Sequence, residues 1–144
     1  MAGLWQGPTV VAIGAPAAGH DWTWQAPQNL AAKVLSIHAR LTTHVTVATR
    51  KVTFLVKDAD GNLLGKVRVP KAIVATKTAQ VTAWSGATRT TATATDQLLS
   101  LGEVVLPEGA SISSTTAGLA ATDQWGEITL LVAYWDPTTP RTQG

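Results

Sequence analysis

From Lys33 to Leu41 the chain reads as an alternation of apolar and polar residues, regular from Leu35 on. That period of two is the mark of a half-buried β-strand. Leu35, Ile37, Ala39 and Leu41 are expected to point one way, and Ser36, His38 and Arg40 the other. The pattern recurs downstream. Val52, Phe54 and Val56 alternate with Lys51, Thr53, Leu55 and Lys57, and Ile128, Leu130, Val132 and Tyr134 alternate with Thr129, Leu131, Ala133 and Trp135. Both sets of the last segment are largely apolar, which predicts a central strand. Composition points the same way. Thr and Ala fill about 45 of the 144 positions, and Thr suits a pleated, half-buried surface. Twelve Gly and seven Pro supply turn points.

The turns divide the chain into short strands. Asp58-Ala59-Asp60-Gly61-Asn62 reads as a hairpin turn, because Gly and Asn tolerate positive φ. Leu63–Val69 returns as its partner, and Pro70 ends it. Lys71–Ser85 supplies one or two strands, residues 86–97 a loop, and Leu98–Leu106 a strand broken at Gly102. Ser111–Ser113 follows the Pro107-Glu108-Gly109 turn, and Thr115–Asp123 is a small-residue loop. Seven to nine short strands at this spacing predict an all-β, two-sheet antiparallel β-sandwich. With no Cys, the immunoglobulin Cys–Trp–Cys pattern is missing, so a jelly-roll-like topology is expected and an immunoglobulin-like one is the alternative. The expected division is an apolar arm or edge strand over 1–19, one sandwich over 20–136 and a polar tail over 137–144.

No cluster reads as a catalytic or metal centre. Asp58-x-Asp60-Gly61 has its Gly at position four and Val69 at position twelve, against an EF-hand's six and Glu. His38 and His44 lack a nearby carboxylate to complete a zinc shell. His20 and Asp21 have no Ser in a nucleophile elbow, since Ser85 lies in Trp-Ser-Gly-Ala. Glu103, Glu108, Asp123 and Glu127 follow turn spacing rather than a glycosidase motif. There is no phosphate-binding Gly-rich loop. An enzyme is not expected, and neither is a cofactor or a metal. No apolar run approaches 18 residues, so no membrane partner is expected, and no signal peptide is visible.

Charge is sparse, at 14% of residues, and segregated. Ten Lys and Arg lie between Lys33 and Arg89 with only Asp58 and Asp60 among them, whereas Asp96–Asp136 holds six carboxylates and no base. Scattered along alternating strands, these bases need not form one patch, so nucleic acid is not expected as a partner. Oppositely charged faces of neighbouring subunits, or solvated faces neutralised within one domain, also fit the pattern.

Residues 1–20 contain no charged side chain apart from the terminus and His20. They are too apolar for a solvated tail and too broken by Gly and Pro for a long helix. This segment is either an edge strand of its own domain or an arm laid on a neighbour. Trp22 and Trp24 share a face if extended, either closing the end of a sandwich or forming a carbohydrate platform together with Trp84.

Three stretches together resemble small virion structural proteins of tailed bacteriophages. They are Leu35–Thr43 (LSIHARLTT) with Arg50–Asp58 (RKVTFLVKD) and Gly61-Asn62; Leu106–Ile112 (LPEGASI); and Asp123–Val132 (DQWGEITLLV). The resemblance spans residues 20–136. It departs after Thr43, where His-Val-Thr-Val-Ala-Thr stands in place of small residues and Gly, and the leading segment has no counterpart. It implies a non-catalytic β-sandwich of the virion, made in the host bacterial cytoplasm. The first expectation is a capsid decoration or cement protein, a homo-oligomer such as a trimer. It would bind the major capsid protein or other virion proteins through Trp5, Val10, Val11, Ile13, Trp22 and Trp24. Removing residues 2–18 is then expected to leave the sandwich folded. A neck or tail protein and a carbohydrate- or receptor-binding module are the alternatives.

Overall fold

The computed structural model describes residues 4–87 and 90–136; the expected polar tail over 137–144 lies outside them. Eleven strands form: β1 (Leu4–Ile13), β2 (Thr23–Gln25), β3 (Ala31–Thr42), β4 (Lys51–Lys57), β5 (Leu63–Arg68), β6 (Thr78–Trp84), β7 (Thr91–Ala92), β8 (Asp96–Ser100), β9 (Val104–Leu106), β10 (Ser111–Ala117) and β11 (Gln124–Asp136). Among the described residues there is no helix. The strands make a seven-stranded sheet in the order β1-β11-β3-β6-β8-β7, with β9 also on β3, and a four-stranded sheet in the order β2-β10-β4-β5.

The pairings are nested. β1 pairs β11, β2 pairs β10, β3 pairs β6 and β4 pairs β5, all antiparallel. One long antiparallel ribbon folded over on itself gives this order, and β11·β3 and β10·β4 are the seams where it closes. That is jelly-roll topology. β7, β8 and β9 are an insertion between the sixth and seventh strands of the roll. They account for the excess over the expected strand count, and β8 departs from the antiparallel expectation by pairing β6 in parallel.

The core is the filling between the sheets. Val52, Phe54 and Val56 enter from β4, Ala79, Val81 and Ala83 from β6, and Ile128, Leu130 and Val132 from β11, all buried. Small Ala residues on the inner faces leave room for Trp22 and Trp125, which are among the largest fully buried side chains. Burying such rings contributes roughly 2–3 kcal/mol each.

Two irregularities change which residues face inward. On β3, Ala32 and Val34 point into the core, then Ile37, Ala39 and Leu41 do, because Leu35 is an extra residue in the pairing with β11. Leu35 is therefore half-buried beside the core set to which alternation assigns it. On β11 the register shifts between Gly126 and Thr129, with Glu127 at a positive φ of 49°. Two residues there oppose one, so Trp125 and Ile128 both turn inward despite their odd and even positions.

At the β4–β5 turn, Asp58 accepts hydrogen bonds from the amides of Asp60 (2.9 Å) and Asn62 (2.8 Å) and from the Asn62 side chain (3.0 Å). Those bonds, the Asn62 side chain first, hold the Asp58 carboxyl below its ordinary pKa. The segment after Thr43 forms no strand up to Thr49. Its shape comes from Arg50, whose guanidinium donates to the carbonyls of Ala48 (2.6 Å) and Thr46 (2.9 Å).

Candidate docking surface

The leading segment is an edge strand here. Eight residues of β1 pair with β11, with an irregularity at Gly7-Pro8. Alternation along β1 splits the expected contact residues. Val11 and Ile13 turn inward and pack against the core, while Trp5 and Val10 turn out.

Trp22 and Trp24 do share a face, but it is the inner one. Trp22 is 2% exposed, with its ring 5.8 Å from that of Phe54, and Trp24 packs half-buried against the same core. The pair closes the sandwich, because large apolar rings gain more from burial than from solvent, and burial of Trp22 removes it from the expected contact residues. A carbohydrate platform built on both would need the Trp22 ring, which is buried.

Four exposed large apolar residues, Trp5, Val10, Trp84 and Val105, lie instead on the outer face of the seven-stranded sheet. Register places Val10, Leu131, Ser36 and Trp84 in one row across four strands. A second row holds Ala133, Lys33 and Val105, and a third holds Trp5 and Trp135. Val10 is 67% exposed, and Trp5, Trp84 and Val105 are each above 40%. Trp5 and Trp135 meet edge-on with ring centroids 5.5 Å apart, and the Lys33 ammonium sits 5.8 Å from the Trp5 ring centre. Lys33 is paired to Glu103 at 3.6 Å, so its charge is partly neutralised. Beside Trp84, a shallow depression of about 370 Å³ is lined by Gly86, Ala87 and Leu98.

The other half of this face is polar. His38 Nδ1 lies 2.9 Å from Thr82 Oγ1, and Arg40 pairs with Glu127 at 3.1 Å. The face is thus an apolar field with three indoles, bordered by satisfied polar groups. Contiguous exposed apolar area on a small domain marks an interaction surface, and Trp is enriched where partners pack. Trp135 and Leu131 were legible in the sequence as the second apolar set of the closing strand. That set does belong to a central strand, and its outer side stays half-buried.

Two polar clusters are closed by their own hydrogen bonds. Arg50 and Asp123 are fully buried and consumed by each other and by loop backbone. Asp21 accepts from Ser114 Oγ (2.7 Å), Thr116 Oγ1 (2.6 Å), the Thr116 amide (3.0 Å) and Trp125 Nε1 (3.1 Å). Among the described residues no group of three or more His, Asp or Glu gathers as a metal site. His20, His38 and Glu108 are not brought together with Asp21 or Asp123 in these hydrogen-bond clusters. Comparison with family models, curated proteins and solved structures finds no match.

Proposed function

We propose that this chain is a bacteriophage virion structural protein that decorates or cements the capsid, docking on the shell through the outer face of its seven-stranded sheet. The observation that carries the reading is the apolar field of Trp5, Trp135, Val10, Leu131, Trp84 and Val105 on one side of a rigid jelly roll. The sequence resemblance to small phage virion proteins supplies the context, and the fold accords with it. Strand-borne side chains hold fixed positions, which suits docking on a repeated, rigid lattice. Each buried indole at such a contact is worth about 2 kcal/mol or more. Many copies on one particle bind with avidity, so a modest single contact suffices.

The test is co-sedimentation of the purified chain with particles assembled without it. The wild-type chain should pellet with the particles, and the Trp84→Ser/Leu131→Ser variant should stay in the supernatant while keeping its far-ultraviolet spectrum. A wild-type chain that stays in the supernatant sinks the proposal. Copies per particle, read from a quantitative gel, separate a shell-wide position from a neck or tail ring, which is the alternative place in the virion.

A further inference from the structure

The four-stranded sheet turns a very different face to solvent. Lys51 and Lys57 project from β4 and Lys66 and Arg68 from β5, all on the side away from the core. β2, β4, β5 and β10 contain no Asp or Glu. The ion pairs among the described residues are Lys33–Glu103, Arg40–Glu127 and Arg50–Asp123, so none of these four cations is neutralised by one. Strand alternation, which in sequence made the bases look scattered, gathers them on one surface. Six residue steps separate Lys51 from Lys57, a span of roughly 20 Å at strand rise.

Most of the rest of this face is hydroxyl and amide. Thr23, Gln25, Thr53, Ser111, Ser113 and Thr115 share it, with Leu55, Leu63 and Ala117 as apolar exceptions. In register, Thr53 stands between Arg68 and Thr115, and Ala117 stands opposite Lys51. Lys51, Arg68, Thr53 and Thr115 line a depression of about 360 Å³ together with the apolar Val52, Val69, Pro70, Ala72 and Ala117. Cations beside hydroxyl donors form the side-chain set that contacts phosphodiester oxygens. Among the described residues no aromatic ring of these four strands lies on this face, since Phe54 and Trp24 point inward. Stacking on exposed bases or on sugar rings is therefore not available.

We infer that the outer face of the four-stranded sheet binds the phosphate backbone of duplex nucleic acid, without sequence preference, with a phosphate seated between Lys51 and Arg68. A surface about 20 Å long spans about six base steps at 3.4 Å each. This surface is on the sheet opposite the apolar docking field, so it stands or falls independently of that reading.

The test is fluorescence anisotropy of a labelled DNA duplex of arbitrary sequence, titrated with the full chain across a salt series. The slope of log K against log salt should be about −3 to −4, as four neutralised phosphates require. Lys66→Glu/Arg68→Glu should lose binding at least tenfold, and Lys51→Gln should lower the slope by about one. Arg40→Gln, on the opposite sheet, should leave both unchanged, with thermal melts showing all variants folded. The inference is overturned by no binding at low salt, by a slope near zero, or by the double variant binding like wild type. Tighter binding to single strands than to duplex, or capture of polyglutamate but not duplex, overturns it as well.

Discussion

Arg50 and Asp123, seventy-three positions apart, are joined by two hydrogen bonds of 2.8 and 3.1 Å with both side chains fully buried. The pair ties the loop before β4 to the loop before β11. Each carboxylate oxygen also accepts a backbone amide, from His44 (2.9 Å) and Ala120 (2.8 Å). A buried pair so completely satisfied fixes one arrangement of the two loops, but it contributes less net stability than its Coulomb attraction suggests.

Arg50→Met leaves a buried carboxylate without its cation and should cost about 3–5 kcal/mol. Asp123→Leu should cost a similar amount. The double variant Arg50→Met/Asp123→Leu should be more stable than the sum of the two losses implies, because no charge is left unpaired. Urea denaturation of the four proteins closes the cycle; simple additivity would show that the pair is not the coupling element.

Stability should also fall in acid. Burial pushes the Asp123 carboxyl up, but the Arg50 hydrogen bonds, the His44 and Ala120 amides and the Arg50 charge outweigh it and hold the group below 3.8. The lowered folded value means that the contribution is complete above the unfolded value and is lost as pH falls through the folded one. The margin of wild type over Asp123→Asn should therefore be constant near neutrality and shrink below about pH 4. Melting temperatures across an acid pH series measure it, and a margin that grows in acid would reverse the sign argued here.

Trp22 and Trp125 are equally buried but differently satisfied. Trp125 Nε1 donates to Asp21 at 3.1 Å, whereas Trp22 Nε1 has no partner among the described residues. Replacing each with Phe removes similar volume, so the difference isolates the donor. Trp125→Phe should cost about 1 kcal/mol more than Trp22→Phe, and equal midpoints in urea would show that Asp21 gains nothing from the indole.

Gly118 follows β10 at a φ of +79°, and a Cβ built there would collide with the Thr49 carbonyl oxygen. Gly118→Ala should destabilise by about 2 kcal/mol or more through backbone strain and displacement of the Thr49–Arg50 segment. Gly86→Ala, where a Cβ meets open space, is the control and should be nearly neutral. Matching losses at the two sites would argue against the close approach.

Removal of residues 2–18 is the point at which the arm expectation and the structure part. β1 pairs along β11 and contributes Val11 and Ile13 to the core margin. Its loss bares the edge of the longest strand, an aggregation hazard. The truncated chain should unfold at lower urea or elute as aggregate by size exclusion; a truncated monomer of unchanged stability would restore the arm reading.

Sequence alone determined the fold class. Side chains alternate across a strand wherever it lies, so Val52, Phe54 and Val56, or Ile128, Leu130 and Val132, announced their strands and their common face. The Asp58–Asn62 turn was equally legible, because its hydrogen bonds are local. Tertiary structure decided what lies across from what. The bulges at Leu35 and Glu127 exchange the inward set, and only register reveals them. Trp22 and Trp5 look alike in sequence, yet one fills the core and the other faces solvent, since burial depends on the sheet opposite. The Arg50–Asp123 pair and the row that joins Val10, Leu131, Ser36 and Trp84 arise from pairings between distant segments. No local pattern encodes those, because the energies that select them are earned only when the roll closes.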